Sequence, residues 1–375
     1  MSSPITSKSA IATGLSYGHS STESHGINAV NSALEKLNGQ RANSVLLFLT
    51  HEYASNPKPT LRAVARAANC TQIFGGTGCG LLTDEEWVID GVGAAAMVFS
   101  GDTRLEPMSN ATSEQKNKEL AITFTTPDGL SSDWLDTPTN RIGSITSDAV
   151  GHGPFAVWTS GRVATQGVVS AWISGTQHAV VASQGFRALC MPQVVAEVNG
   201  HDLLRIGNAS ALKTLVTALP FSIGKEERVP LHLLMYGVTY GDPNTAIEEG
   251  RYHLNHILTA NVDDNSITLT DELSPGESLF WAIRDKLAAE RDMQHCLETA
   301  HSKLAADPDF ALLFPCLSRG PSFYGNRDRD IDLLKTRFKD IPLAGFYGNG
   351  QIAPLQQGSH LYHYSTVAGL FRCLT

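Results

Sequence analysis

Gly345-Phe346-Tyr347-Gly348-Asn349-Gly350-Gln351-Ile352-Ala353-Pro354 is a glycine-dense turn between an apolar strand pattern and an aromatic, histidine-bearing one. The spacing recurs near the other end of the chain. Phe74-Gly75-Gly76-Thr77-Gly78-Cys79-Gly80-Leu81-Leu82 sets Gly75, Gly78 and Gly80 opposite Gly345, Gly348 and Gly350. An apolar run precedes each turn, Val45 to Thr50 in one case and Ala311 to Cys316 in the other. Phe48 and Gly75 are 27 positions apart, Phe314 and Gly345 31, so one unit reads twice with a four-residue loop difference. That unit is strand, polar loop, helix, strand, glycine turn, strand. The fold class it predicts is α/β, with two pseudo-symmetric lobes that each hold a mixed β-sheet with helices. Glycine suits such turns because it reaches positive φ and lets another backbone or a ligand come close. A single turn of this kind is a plain chain reversal. Two equivalent ones imply a pair of lobes, and a cleft between lobes is a favoured place for a small-molecule site.

The 375 residues are enough for two or three domains, and 42% hydrophobic content supports sizeable cores. A net charge of -9, with no run of four basic residues, argues against a nucleic-acid surface. Six cysteines at 70, 79, 190, 296, 316 and 373 form no C-x-x-C pair and read as reduced, mostly buried thiols. Residues 1–19 lack the apolar core of a secretory signal, and no apolar stretch approaches the ~20 residues of a membrane span. A soluble, cytoplasmic protein is expected, without membrane insertion.

Periodicity predicts a first strand at Ile11 to Thr13, a helix over about Ser24 to Leu37, a buried strand at Val45 to Thr50 and a helix from Thr60. Strands follow at 72–74, 86–89 and 92–99, and hairpins occupy 155–189. Val194 to Val198 ends in Asn199-Gly200, a hairpin signal. Helices are expected at His201 to Leu204, Ala209 to Leu219, Ser278 to Leu304 and Asp330 to Phe338. The charged break at Lys225-Glu226-Glu227 is the natural boundary, which divides the chain into a segment 1–29, a lobe 30–225 and a lobe 226–371.

Three motifs are decoys. Gly14-Leu15-Ser16-Tyr17-Gly18 matches G-x-S-x-G, but it lacks the strand-turn-helix context of a nucleophile elbow. The turn from Gly75 to Gly80 has neither the Gly-Lys-Ser/Thr ending of a P-loop nor dinucleotide spacing. His253 and His256 would share a helix face, but their neighbours read as strand, where they point to opposite sides.

The second unit resembles the C-terminal half of the FIST family, the sensory domains of signal-transduction and F-box proteins. The residues that carry the likeness are Leu312 to Gly320, Gly345 to Pro354 and Leu361 to Thr366. The N-terminal half is matched by Val45 to Thr50, Ile73 to Gly80 and Gly185-Phe186 through Gly200. The resemblance spans roughly residues 40 to 371 and is that of a stand-alone, bacterial-type member. It implies a small-molecule-binding sensory protein. With no kinase, methyl-accepting or F-box module in these residues, such a protein acts through a separate partner, such as a histidine kinase or other signalling protein. One departure is Gln351, where the family often has Glu.

Within that resemblance the ligand-binding candidates are Gly75, Gly76, Thr77, Gly78, Cys316, Ser318, Arg319, Gly345, Tyr347, Gly348, Asn349, Gly350 and Gln351. Arg319 suits a two-pronged pair with a carboxylate, and the N–H groups of Gly348 to Gly350 suit an anion nest. The competing reading has Arg319 pair with Asp328 or Asp330 and hold its own loop. Some family members bind haem and sense nitric oxide. Haem here needs an axial ligand, with His363 the first candidate, His360 and His51 behind it, and walls drawn from Phe346, Tyr347, Tyr362, Tyr364 and Phe371. An enzyme of unknown chemistry and a protein-interaction scaffold are the rival readings, and no nucleophile-base pair assembles in a fitting context.

Overall fold

A computed structural model describes residues 9–108, 120–220, 231–248, 250–354 and 358–374. Its contacts divide the chain into two compact units, Met1–Gln184 with Asp292–Thr375, and Gly185–Arg291.

In the first unit, two six-stranded sheets share one plan. The first runs Ile11–Gly18, Val92–Phe99, Ser44–Thr50, Ile73–Gly78, Val157–Thr159, Arg162–Val163. The second runs Thr176–Ser183, Thr366–Cys373, Phe310–Pro315, Leu343–Tyr347, Gly80–Thr83, Trp87–Val88. Each centres on a parallel pair, with Leu47 opposite Gly75 in one and Leu313 opposite Gly345 in the other. Each parallel pair is flanked by an antiparallel strand.

The period of two in these apolar runs decides the layering. Leu46 and Phe48, with Phe310, Leu312 and Phe314, enter one shared core. There Phe48 and Phe314 meet edge to face at 6.1 Å. The alternate residues Val45, Leu47 and Leu49 pack with Val30, Ala33, Leu61 and Val64 of the helices Glu23–Lys36 and Lys58–Ala68. Ala311 and Leu313 pack with Met293, Leu297, Ile331 and Leu334 of the helices Lys286–Leu304 and Arg329–Arg337. Residues that face cores on both sides explain why these strands are continuous apolar runs.

The matched glycines have a steric cause. A Cβ at Gly75 would lie 1.8 Å from the Leu47 carbonyl oxygen, and one at Gly345 would lie 1.7 Å from that of Leu313. Both glycines admit the neighbouring backbone rather than a ligand. A third sheet, Ser359–Tyr362, Gln351–Pro354, Arg141–Ile145, Ala121–Thr125, Val168–Ser174, Arg104–Pro107, completes this unit.

The second unit is an antiparallel ring of Ser278–Arg284, Gln193–Asn199, Asp202–Ile206, Ser266–Leu269, Tyr252–Asn261 and Leu234–Thr239. Leu234–Thr239 pairs back onto Ser278–Arg284, so the ring is closed. Its interior holds Leu203, Ile206, Tyr236, Ile257, Ile267 and Trp281.

Several expectations are corrected. His201 to Leu204 is not helical, because the chain beyond the Asn199-Gly200 turn returns as the strand Asp202–Ile206. The helix expected over Ser278 to Leu304 begins at Lys286. Before it, Leu279 to Ile283 is buried on both faces and forms a barrel strand. The first strand continues through Gly18, which places Gly14 to Gly18 in a paired strand and not at an elbow. Lys225 to Glu227 lie outside the described residues. Among the described residues no helix is long and apolar enough to cross a membrane.

Candidate functional site

Chain ends of parallel strands build sites in α/β folds, because the loops there converge while the strands fix their positions. Two such loops occupy equivalent places here. The turn His51–Tyr53 follows Ser44–Thr50, and the turn Leu317–Arg319 follows Phe310–Pro315.

The second loop is closed by polar contacts. Arg319 is 1% exposed. Its Nε and Nη2 donate to Asp330 at 2.9 and 3.1 Å, its Nη1 to the Ser183 carbonyl at 2.6 Å, and its Nη2 also to Ser183 Oγ at 2.8 Å. Asp330 further accepts from Tyr324 and Thr366. Burial favours a neutral guanidine, but Asp330 outweighs it and keeps Arg319 charged. Of the two readings open in the sequence, the structure has the loop-holding one: the two-pronged carboxylate partner is Asp330. Next to it, Asp328 caps the Arg329–Arg337 helix through Ile331 N–H and accepts from the Tyr347 hydroxyl at 2.6 Å. Burial, reinforced by Asp330, pushes the Asp328 carboxyl up to about 7.

The proposed anion nest is likewise occupied. Gly348 N–H donates to the Pro315 carbonyl at 3.0 Å and Asn349 N–H to that of Ile145 at 3.1 Å. A Cβ at Gly348 would meet Ser144 Oγ at 1.8 Å, so this glycine too admits a packed neighbour. Gln351 is fully buried. Its amide donates to Ser365 Oγ at 3.0 Å and the Tyr362 carbonyl at 3.2 Å while accepting from Cys316 N–H at 3.2 Å. That dual role requires an amide, which explains how Gln fits where a carboxylate could not donate. Ser318 and Asn349 are exposed at the rim, and Cys316 is buried beneath it.

The glycine turns do come together. Gly80 pairs with Tyr347 and Leu82 with Gly345. Cys79 N–H reaches Ser147 Oγ at 2.9 Å, and Ser147 Oγ donates to the Tyr347 carbonyl at 2.5 Å. Thr77 is tied to Ala156, and Gly76 packs against Thr146 and Val157.

The first loop is open. His51 Nε2 lies 3.6 Å from Glu52, both about one-third exposed, while its buried Nδ1 has no hydrogen-bond partner among the described residues. Glu52 and Tyr53, with Ser21, Glu23, Asn56 and Thr60, line a pocket of about 300 Å³. Across the strand ends sits Asp148. Burial opposes its ionisation, but the N–H groups of Gly153, Gly151 and His152, together with His51, hold the carboxyl below its ordinary value. Burial, with Asp148, Glu52 and Asp90 nearby, pushes the Cys79 thiol up to about 11, so it stays protonated at neutral pH and is no nucleophile. Sequence reasoning passed over Glu52 and Asp148. Glu52 had a signal, being the charged residue next to a buried strand end; Asp148 had none.

The residues around His363 do not fit haem. His363 sits in a half-buried bend between the strands Ser359–Tyr362 and Thr366–Cys373, not in a strand. Phe346 and Phe371, the intended walls, are fully buried. Phe346 packs against Phe48, Phe124 and Phe314, and Phe371 stacks on Phe310 at 4.7 Å. Tyr347 is fully buried and committed to Asp328.

The described residues thus form an α/β unit with paired glycine turns at its strand ends and a closed antiparallel unit. The FIST N domain matches residues 43–209 and the FIST C domain residues 209–354. The chain belongs to the FIST family, whose domains are associated with sensory signal transduction. The barrel, Gly185–Arg291, takes the end of the first match and the start of the second. Similar curated proteins are an uncharacterized protein of Mycobacterium bovis, 26% identical over 61% of this chain and 60% of its own length, and one of Mycobacterium tuberculosis, 25% identical over 66% of each. The chain thus spans about 60 to 66% of the length of these relatives.

Proposed function

We propose that the protein binds a small molecule at the open loop beyond the Ser44–Thr50 strand and reports to a separate signalling protein, such as a histidine kinase, in the cytoplasm. The two sheets then derive from one duplicated unit whose copies have diverged, one into a clamp and one into a binding loop. The observation that carries this reading is the contrast between Arg319, whose charge is paired in the interior, and Glu52, which is about one-third exposed and lines a pocket together with Tyr53. Two carboxylates, Glu23 and Glu52, line that pocket, so the ligand carries an amine or other cationic donor. Of the other candidates, Gly75 to Gly78, Cys316, Gly345 and Gly348 to Gln351 shape the strand ends, and Ser318 is exposed in the clamped turn Leu317–Arg319.

Calorimetric titration of the purified protein with a panel of small amines and amino acids tests the proposal. Binding that Glu52→Gln weakens about tenfold or more, the range for a charged hydrogen bond, supports it. A panel in which nothing binds, or binding that Glu52→Gln leaves unchanged, refutes the site.

A further inference from the structure

Arg141 opens the Arg141–Ile145 strand at the end away from the loops just described. It is 3% exposed. Its Nη1 donates to Thr123 Oγ1 at 3.1 Å and Ser170 Oγ at 3.0 Å, and it contacts Met108 Sδ at 3.7 Å. These partners are neutral. Thr123 and Ser170 stand directly opposite each other on neighbouring strands, so the hydroxyl pair is fixed by the sheet register.

The other edge of the guanidinium differs. Among the described residues the buried Nε–H has no acceptor, and all the hydrogen bonds of Arg141 leave from Nη1. Removing a guanidinium from water without a counter-charge is costly, and a missing acceptor at a buried N–H adds to that cost. Desolvation alone lowers its pKa to about 10, in contrast to Arg319, whose carboxylate partner reverses the same effect. Trp134 lies over the guanidinium at 5.4 Å and is held by its Nε1–H to the Gly129 carbonyl. A cation with an aromatic cover, two hydroxyls at one nitrogen and a vacant Nε–Nη2 edge presents the two parallel donors that a carboxylate or phosphate accepts.

We propose that Arg141 is the anchor of an oxyanion-binding site on this sheet, separate from the loop site and independent of it. A small carboxylate or phosphate ligand accepts from Nε–H and Nη2–H, while Trp134, on the single helical turn Ser132–Leu135 that is exposed at Ser132 and Asp133, forms the cover through which it enters. The ligand supplies the counter-charge that the neutral partners do not.

The test uses the full chain with ¹⁵N-labelled arginine. The Nε–H resonance lost in Arg141→Met, or in Arg141→Lys if the first variant does not fold, belongs to Arg141. In wild type that resonance should shift saturably with acetate, glutamate or inorganic phosphate, and not with chloride at equal ionic strength. Whichever anion saturates lowest distinguishes a carboxylate from a phosphate ligand. Arg141→Lys, which keeps the charge but loses the fork, should raise the Kd for the same anion, read by calorimetric titration of both proteins, at least tenfold. A resonance indifferent to all three anions overturns the proposal. So does one that moves in anion-free buffer on Glu119→Gln, a residue outside the described ones, because the counter-charge then comes from the chain itself.

Discussion

The turn Leu317–Arg319 and the turn His51–Tyr53 stand at the same place in two sheets of the same strand order, yet their charges are handled in opposite ways. In the first, an interior arginine is bound to Asp330 and Ser183, and a neighbouring aspartate caps the next helix. In the second, a histidine and a glutamate about one-third exposed stand beside a pocket. Equivalent topology therefore does not imply equivalent role. A buried ion pair makes its loop a clamp, because leaving either member alone in the interior is far more costly than leaving the loop unpaired at the surface.

The largest effect should come from breaking that clamp. Arg319→Ala strands Asp330 and should cost about 3–5 kcal/mol in urea unfolding, whereas His51→Ala should stay within about 0.5 kcal/mol, as for surface positions. Similar losses in the two variants would erase the distinction. Next, Gly75→Ala and Gly345→Ala both drive a methyl into a carbonyl oxygen, and each should cost about 3 kcal/mol, the upper range for overpacking. Matched losses sharpen the equivalence of the sheets; a tolerated substitution in one alone would break it.

Much of this plan was legible in the chain. Apolar runs buried on both faces announce central strands, and the glycine register between residues 75–80 and 345–350 pointed to a strand order that recurs in two sheets. The reason for those glycines was not legible: a close approach between backbones and a close approach to a ligand leave the same residue. Arg319 was ambiguous for a similar reason, since its partner Asp330 lies on the following helix and a sequence shows adjacency along the chain, not the direction of a side chain. The barrel strand Ser278–Arg284 was read as helix because a short run buried on both sides carries no period, so only its neighbours decide. Asp148 left no trace at all, being held by three backbone N–H groups of its own loop.

The clamp also predicts a pH response. The Asp328 carboxyl is raised from 3.8 to about 7, so the folded state holds its proton more tightly than the unfolded chain does. Its contribution is fully present below about pH 4 and is lost as pH rises through 7. Asp328→Asn, which keeps a capping oxygen for Ile331, should flatten stability between pH 4 and 7 by up to a few kcal/mol. An unchanged pH profile in denaturant titrations would show that Asp328 ionises in the folded protein as it does unfolded.

The central claim, that the open loop and not the clamped one receives the ligand, is tested most directly by hydrogen exchange measured with and without a binder taken from the amine panel. Protection should rise across residues 51–60, beside the pocket, and stay unchanged across 317–325. Protection confined to 317–325 would contradict the account.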